Sequence, residues 1–309
     1  MALHGLAQIT IGVPCVERTR RFYREFGLDP SSGGGFATAD GGDQLRIVEH
    51  PVRSLLEYVV AADDPADVAR VRRAAEHEGI AVDGTAQAIS LRDPTTGIAV
   101  HVAILPRIKQ EPAAASSVNG PGSTARIGVR ADAIFPPEVI QPRRLGHVAL
   151  AVTDAEATKR FLVTVLGFRL TDSVPGIIEF FRCSSDHHNV ALLSSAIPFL
   201  HHTSWQVDDA DQIGHAATKL LAVDPTRDVW GLGRHFLGSN LFWYLRDPAG
   251  NFAEYFADMD QIADDDAWVA QTWDPAKALY IWGPPVPAQF IKPEDLDELS
   301  SAYTAATSR

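Results

Sequence analysis

Two periods of hydrophobic and polar positions run along the chain, and their order recurs. Residues 7–28 (AQITIGVPCVERTRRFYREFGL) open with the alternation of a strand, turn at Pro14, continue with apolar residues at helical spacing and stop at Gly27. Residues 146–168 (GHVALAVTDAEATKRFLVTVLGF) repeat the pattern, turning at Asp154 and stopping at Gly167, with Phe22 and Phe161 at matching helix positions. A second pair follows. Residues 55–104 and 200–257 each read strand, Asp-Asp, helix, then two strands around an Arg-Asp-Pro turn, at Asp93-Pro94 and Asp247-Pro248. The chain therefore predicts four strand–helix–strand units in two pairs.

Between the pairs, Ile108 to Pro142 is rich in Pro, Ala, Ser and Gly, the composition of a linker. Beyond Asp258 a tail carries Trp268, Trp273, Tyr280 and Trp282, aromatics that pack on a folded body. The expected division is 1–107 as a first domain, 108–142 as linker, 143–258 as a second domain and 259–309 as a tail lying over it.

With 309 residues, 46% of them hydrophobic, the chain is long enough for two cores. Its net charge of −12 disfavours nucleic acid and anionic membrane as partners. Two cysteines, Cys15 and Cys183, make no disulfide framework. No apolar run approaches the roughly 20 residues that span a bilayer, and the N-terminus lacks a basic region and a cleavage site. The expectation is a cytoplasmic globular protein.

Strand alternation singles out three residues. In 147–152 one face is Val148, Leu150 and Val152, and the other is His147, Ala149 and Ala151, small apart from the histidine. In 202–207 His202 shares a face with Ser204 and Gln206. Glu254 lies between apolar neighbours in NFAEYF. Burying that carboxylate unpartnered costs several kcal/mol, and a metal would supply the partner. Any one of these side chains alone reads more simply as a satisfied core or surface residue. The repeat weighs against that for the set: it sets Gln8 opposite His147, Glu57 opposite His202 and Val100 opposite Glu254, so the scaffold recurs without the ligands and the first half reads as metal-free. Two histidines and one carboxylate form the facial triad of mononuclear non-haem iron, leaving two cis positions for a chelating substrate and a third for O2. Zinc also takes two histidines and a glutamate, more often leaving one position for water.

A longer motif lies around Glu254: Gly233-Arg234-His235, then Tyr244, then Asp247-Pro248-Ala249-Gly250, then Glu254. It resembles the G-x-H … Y-x-x-D-P-x-G-x-x-x-E pattern of the type I extradiol ring-cleavage dioxygenases, in the vicinal-oxygen-chelate superfamily. The resemblance covers roughly residues 5–285, with Trp243 standing where a smaller apolar residue is usual, a departure that bears on pocket shape. It implies an α+β fold of two domains, each a pair of βαβββ modules forming a half-open barrel. It also implies extradiol cleavage of a catecholic substrate by O2 at Fe(II), with Mn(II) as the other metal suited to the ligand set, in a protein that is often a homo-oligomer. Carried over, His147, His202 and Glu254 hold the metal. His188, in His188-Asn189-Val190-Ala191-Leu192, matches an acid/base histidine, His235 a histidine that hydrogen-bonds the substrate, and Tyr244 a tyrosine beside a catechol oxygen. Taken singly, a packed histidine or a buried strand tyrosine would explain each of these last three. The spacing selects His202 over His201 and His188 over His187; the rejected His201 and His187 point the other way on a strand and are expected at the solvent.

The tail, Thr272-Trp273 … Tyr280-Ile281-Trp282-Gly283-Pro284-Pro285, resembles that of the homoprotocatechuate 2,3-dioxygenase branch. Where that branch has arginines for the substrate's acid group, this chain has Trp230, Ala278 and Leu279, with Lys277 and Arg227 off register. The implied substrate is a neutral or apolar-substituted catechol. The rival readings are a glyoxalase-like lyase or isomerase using another divalent metal, and a non-catalytic small-molecule-binding module.

Overall fold

The structure is a computed structural model that describes residues 3–113, 117–134, 136–275 and 279–307. The first half runs β1 (Leu3–Val13), α1 (Val16–Glu25), β2 (Asp29–Pro30), β3 (Phe36–Thr38), β4 (Gly42–Glu49), then β5 (Ser54–Ala62), α2 (Pro65–His77), β6 (Asp83–Gly84), β7 (Ala88–Arg92) and β8 (Ala99–Ile104). The second half repeats it: β9 (Arg144–Val152), α3 (Ala155–Arg160, continued by a π-helical turn Phe161–Leu166), β10 (Arg169–Val174), β11 (Ile178–Arg182), β12 (Val190–Ser194), β13 (Phe199–Gln206), α4 (Ala210–Val223), β14 (Asp228–Arg234), β15 (Leu241–Arg246) and β16 (Phe252–Ala257). The tail adds β17 (Gln271–Thr272), α5 (Ala288–Ile291) and α6 (Leu296–Thr307). No described helix is long and apolar enough to cross a membrane.

The expected βαβββ modules are thus present, two in each of two sheets. The sheet orders are β2-β3-β4-β1-β5-β8-β7-β6 and β14-β15-β16-β13-β9-β12-β11-β10-β17. In each sheet the first strands of the two modules pair antiparallel at the centre: Thr10 faces Glu57 in one and Ala149 faces His202 in the other.

Local chemistry explains the repeated elements. Asp64, Asp154 and Asp209 accept hydrogen bonds from the first-turn amides of α2, α3 and α4, offsetting the unpaired donors of a helix start. Gly27 and Gly167 follow the first helix of each half at φ of 98° and 81°, and a Cβ on Gly27 would lie 2.1 Å from the Ile140 carbonyl oxygen. Asp93 and Asp247 accept from the amides of Thr95 and Ala249, two residues on, and so fold the Arg-Asp-Pro turns.

Strand alternation sorts the side chains as expected. Val148, Leu150, Val152, Trp205 and Val207 pack into the main core with the helices, whereas Ala149 and Ala191 belong to a separate cluster on the opposite face. The two halves meet through aromatic contacts, with Phe26 stacked on Tyr255 at 3.9 Å and the Tyr255 hydroxyl donating to the Phe26 carbonyl. The tail touches both halves. Its β17 extends the second sheet beside β10, and Asp295 pairs with Arg53 of the first half.

One expected correspondence is corrected. Val100 is not the counterpart of Glu254. Tyr244 pairs with Glu254 across β15 and β16, and the matching pair across β7 and β8 is Ser90 with His101. The first-half turn, Thr95-Thr96-Gly97, is one residue longer than Ala249-Gly250, so Val100 turns into the core and His101 takes the inner face. A one-residue shift flips every side chain of a strand. There His101 sits 3.2 Å from Glu57, whose other oxygen accepts from Thr10.

Candidate active site

His147 of β9, His202 of β13 and Glu254 of β16 lie on three adjacent strands and converge. His147 Nε2 is 3.2 Å from His202 Nε2 and 3.1 Å from Glu254 Oε2, and His202 Nε2 is 3.8 Å from the same oxygen. Among the described residues these three are the group whose nitrogen and oxygen atoms could hold one ion, all lying within 4.8 Å of one another. Ligands about 2.1 Å from one metal at cis positions stand about 3 Å apart, which these spacings approach.

Electrostatics point the same way. Glu254 is fully buried, and Oε2 accepts no hydrogen bond while Oε1 accepts from Asn240 Nδ2 at 3.2 Å. Burial alone would raise the pKa of this carboxyl. The surrounding imidazoles of His147, His235 and His202 outweigh burial and hold it well below the usual carboxylate range. The result is a buried carboxylate with an orphan oxygen, costly without a cation. Burial first, then the neighbouring His201, lowers His202 well below the ordinary histidine range. A neutral imidazole is the form that binds a metal.

The doubled histidines are corrected. His187 and His201 were expected at the solvent, yet they are 0% and 2% exposed. The tail and β10 cover them. His201 donates Nε2–H to the Phe290 carbonyl at 2.8 Å, since a carbonyl only accepts. Burial pushes the pKa of His201 down to about 4, so its ring is neutral and Nδ1 accepts from His202 Nδ1–H at 2.8 Å. That leaves His202 Nε2 bare and turned to Glu254. His147 has no such support, because its Nδ1 is buried without a hydrogen bond.

His188, His235 and Tyr244 stand around the same point. The His188 ring lies 4.1 Å from that of His147, and burial, then His147 and His187, lowers its pKa well below the ordinary value. His235 donates Nδ1–H to the Leu279 carbonyl at 2.6 Å, and its Nε2 lies 2.9 Å from the Tyr244 hydroxyl. Burial, then the charge of Glu254, raises Tyr244 well above the usual phenol range and keeps its proton in place.

The cavity walls are apolar. Ile178, Phe180, Leu193, Leu237, Leu279 and Phe290 surround the histidines, and no lysine or arginine is among the described residues lining it. Trp230 is buried, lies parallel to Tyr244 and donates Nε1–H to the Pro284 carbonyl. Arg227 pairs with Glu25 and is not among the lining residues. Ala278 and Lys277 lie outside the described residues. Trp243 bonds Asp228 and faces away from Tyr244, so it does not shape the cavity. A larger cleft, about 630 Å³, is lined by both halves around Gln8, Asp43, Arg107 and Arg144, away from these ligands.

Sequence reasoning missed Asn240, Asp172, His187, His201 and the tail carbonyls of Leu279 and Phe290. The doubled histidines were a legible signal. Asn240 and the carbonyls carried none, since their part depends on the path of distant segments.

Residues 144–255 match the family described as the Glyoxalase/Bleomycin resistance protein/Dioxygenase superfamily. Metapyrocatechase 2 of Cupriavidus necator is 32% identical over 302 residues, spanning 94% of this chain and 92% of that protein. An iron-dependent extradiol dioxygenase of Rhodococcus jostii (strain RHA1) is 32% identical over 154 residues, spanning 45% of this chain and 50% of that one. In fold, the chain is similar to BphC, a halotolerant catechol dioxygenase, with a TM-score of 0.73 at 18% identity over 94% of this chain and 97% of that one. It is likewise similar to a Mn(II)-bound glyoxalase from Novosphingobium aromaticivorans, with a TM-score of 0.70 at 23% identity over 93% and 95%. With a relative aligned at that identity along nearly the whole of both sequences, the chain belongs to the extradiol dioxygenases of this superfamily, metal-dependent enzymes that open catechol rings.

Proposed function

We propose that the enzyme holds Fe(II) between His147, His202 and Glu254 and cleaves a neutral or apolar-substituted catechol next to a hydroxyl-bearing carbon, giving a ring-opened semialdehyde or a related keto acid. The bare, fully buried Glu254 Oε2 beside two imidazole nitrogens carries this reading. Bound there, the metal would act as a Lewis acid that lowers a ring hydroxyl's pKa and gathers substrate and O2.

The chain's own groups do the rest. His188, neutral and at the cavity wall, accepts a proton from the substrate. Tyr244 keeps its proton and, with His235, orients the substrate oxygens and stabilises charge that develops on them. The apolar walls exclude water and leave a substrate carboxylate unpaired, which disfavours acid-bearing catechols. Manganese suits the same three ligands. The reading carries with it a cytoplasmic homo-oligomer without nucleic-acid or membrane partners.

Oxygen uptake with a panel of catechols, on anaerobically purified protein of measured metal content, tests the reading. Uptake proportional to bound iron and strongest with neutral catechols is expected. Turnover of a substrate without oxygen uptake would instead favour a glyoxalase-like lyase or isomerase.

A further inference from the structure

Behind His188 lies a buried chain of polar groups. His188 Nδ1 is 3.0 Å from His187 Nδ1, and His187 Nε2 is 3.0 Å from Asp172 Oδ2. His187 is fully buried and Asp172 nearly so. The other carboxylate oxygen, Asp172 Oδ1, accepts from the Gln271 amide at 2.8 Å, where β17 lies alongside β10. Trp268 packs edge-on against the His187 ring and donates to the Thr171 carbonyl.

The bonding has a direction. A carboxylate only accepts, so His187 gives it a proton from Nε2. A neutral ring protonated there offers Nδ1 as an acceptor, and His188 must then donate from Nδ1. Its Nε2 is left bare on a ring that lines the cavity. The same order holds at the other doublet, where His202 donates to His201 and His201 to the Phe290 carbonyl. In each doublet the first histidine fixes the proton of the second.

We propose that Asp172, acting through His187 and anchored by the tail strand, is a positioning residue that sets the tautomer of His188 and presents a bare Nε2 to the substrate. This rests on the acid/base role given to His188. A carboxylate that merely stabilised the fold would leave the His188 tautomer unchanged when replaced by its amide. Asn at position 172 can instead donate, which reverses both bonds and puts the proton on the nitrogen facing the cavity.

The test is nitrogen NMR of full-length protein labelled with ¹⁵N-histidine and loaded with zinc, which is diamagnetic. Nitrogen–nitrogen coupling across the His187–His188 bond assigns the pair. In the wild type, His187 should be protonated at Nε2 and His188 at Nδ1; a His188 protonated at Nε2 overturns the proposal without any variant. Asp172→Asn should move the His188 proton to Nε2 and lower kcat about 10–100-fold with KM little changed, and Asp172→Glu should recover part of the rate. An unchanged tautomer or an unchanged kcat in folded Asp172→Asn overturns it. His188→Phe is assayed beside these. If it turns over at the wild-type rate, the acid/base reading itself fails. If it is slow while Asp172→Asn keeps the wild-type tautomer, only the relay fails.

Discussion

Asn240 donates to Glu254 Oε1 at 3.2 Å, so one oxygen of the carboxylate is occupied and the other stays bare, 3.1 Å from His147 Nε2. The amide fixes which oxygen is offered to a cation. His147→Ala and Glu254→Ala should lose both metal and activity. Asn240→Ala should keep the three ligands but weaken metal binding about 10–100-fold. Chelator competition followed by metal analysis reads the difference, and wild-type affinity in Asn240→Ala would show that the carboxylate needs no such support.

His201→Phe should behave differently from His188→Ala. Without His201, His202 Nδ1–H loses its acceptor and the ligand ring is no longer held with Nε2 bare. Metal affinity should fall about 10–100-fold. His188→Ala should keep the metal and slow turnover by about 10²-fold or more, the usual contribution of a positioned acid/base group. Metal content and kcat measured on both variants separate the two effects.

Leu279 lies in the cavity wall, at a position that the resemblance gives to an arginine for the substrate's acid group. Leu279→Arg should raise kcat/KM for an acid-bearing catechol relative to its neutral analogue. A wild-type enzyme that already prefers the acid would refute the proposed substrate class.

Arg144 grips Asp186 with two hydrogen bonds of 2.6 and 2.8 Å, and the carboxylate is nearly fully buried. Burial pushes Asp186 up, but the charge and hydrogen bonds of Arg144, with Gln261, outweigh it and hold the pKa below the ordinary value. A lowered folded pKa means stability present above the unfolded pKa, near 3.9, and lost as pH falls through the lower folded value. Arg144→Met leaves the buried charge unpaired and should cost about 3–5 kcal/mol at neutral pH. In the variant burial prevails and Asp186 is raised above the unfolded value, so the deficit should begin to shrink as pH falls through that raised value, above about 4, and go on shrinking below it. Urea unfolding at pH 7 and pH 4 checks both the size and the trend.

Much was legible in the sequence because period, cap and turn chemistry are local. The alternation in 147–152, Asp64 and Asp209 before their helices, and the Arg-Asp-Pro turns specified the repeated modules and put His147, His202 and Glu254 on inward faces. What came from beyond the local pattern was decided by the tertiary structure. A one-residue difference in turn length set His101, not Val100, opposite Glu254, because strand register depends on pairing across the sheet. His187 and His201 are buried because β10 and the tail cover them from 15 and 89 residues away. The sequence by itself determined which side chains could bind a metal; the fold alone decided what lies behind the doubled histidines, the Phe290 carbonyl against His201 and the Asp172 carboxylate against His187, since a proton's place on an imidazole is set by whatever acceptor lies against the opposite nitrogen.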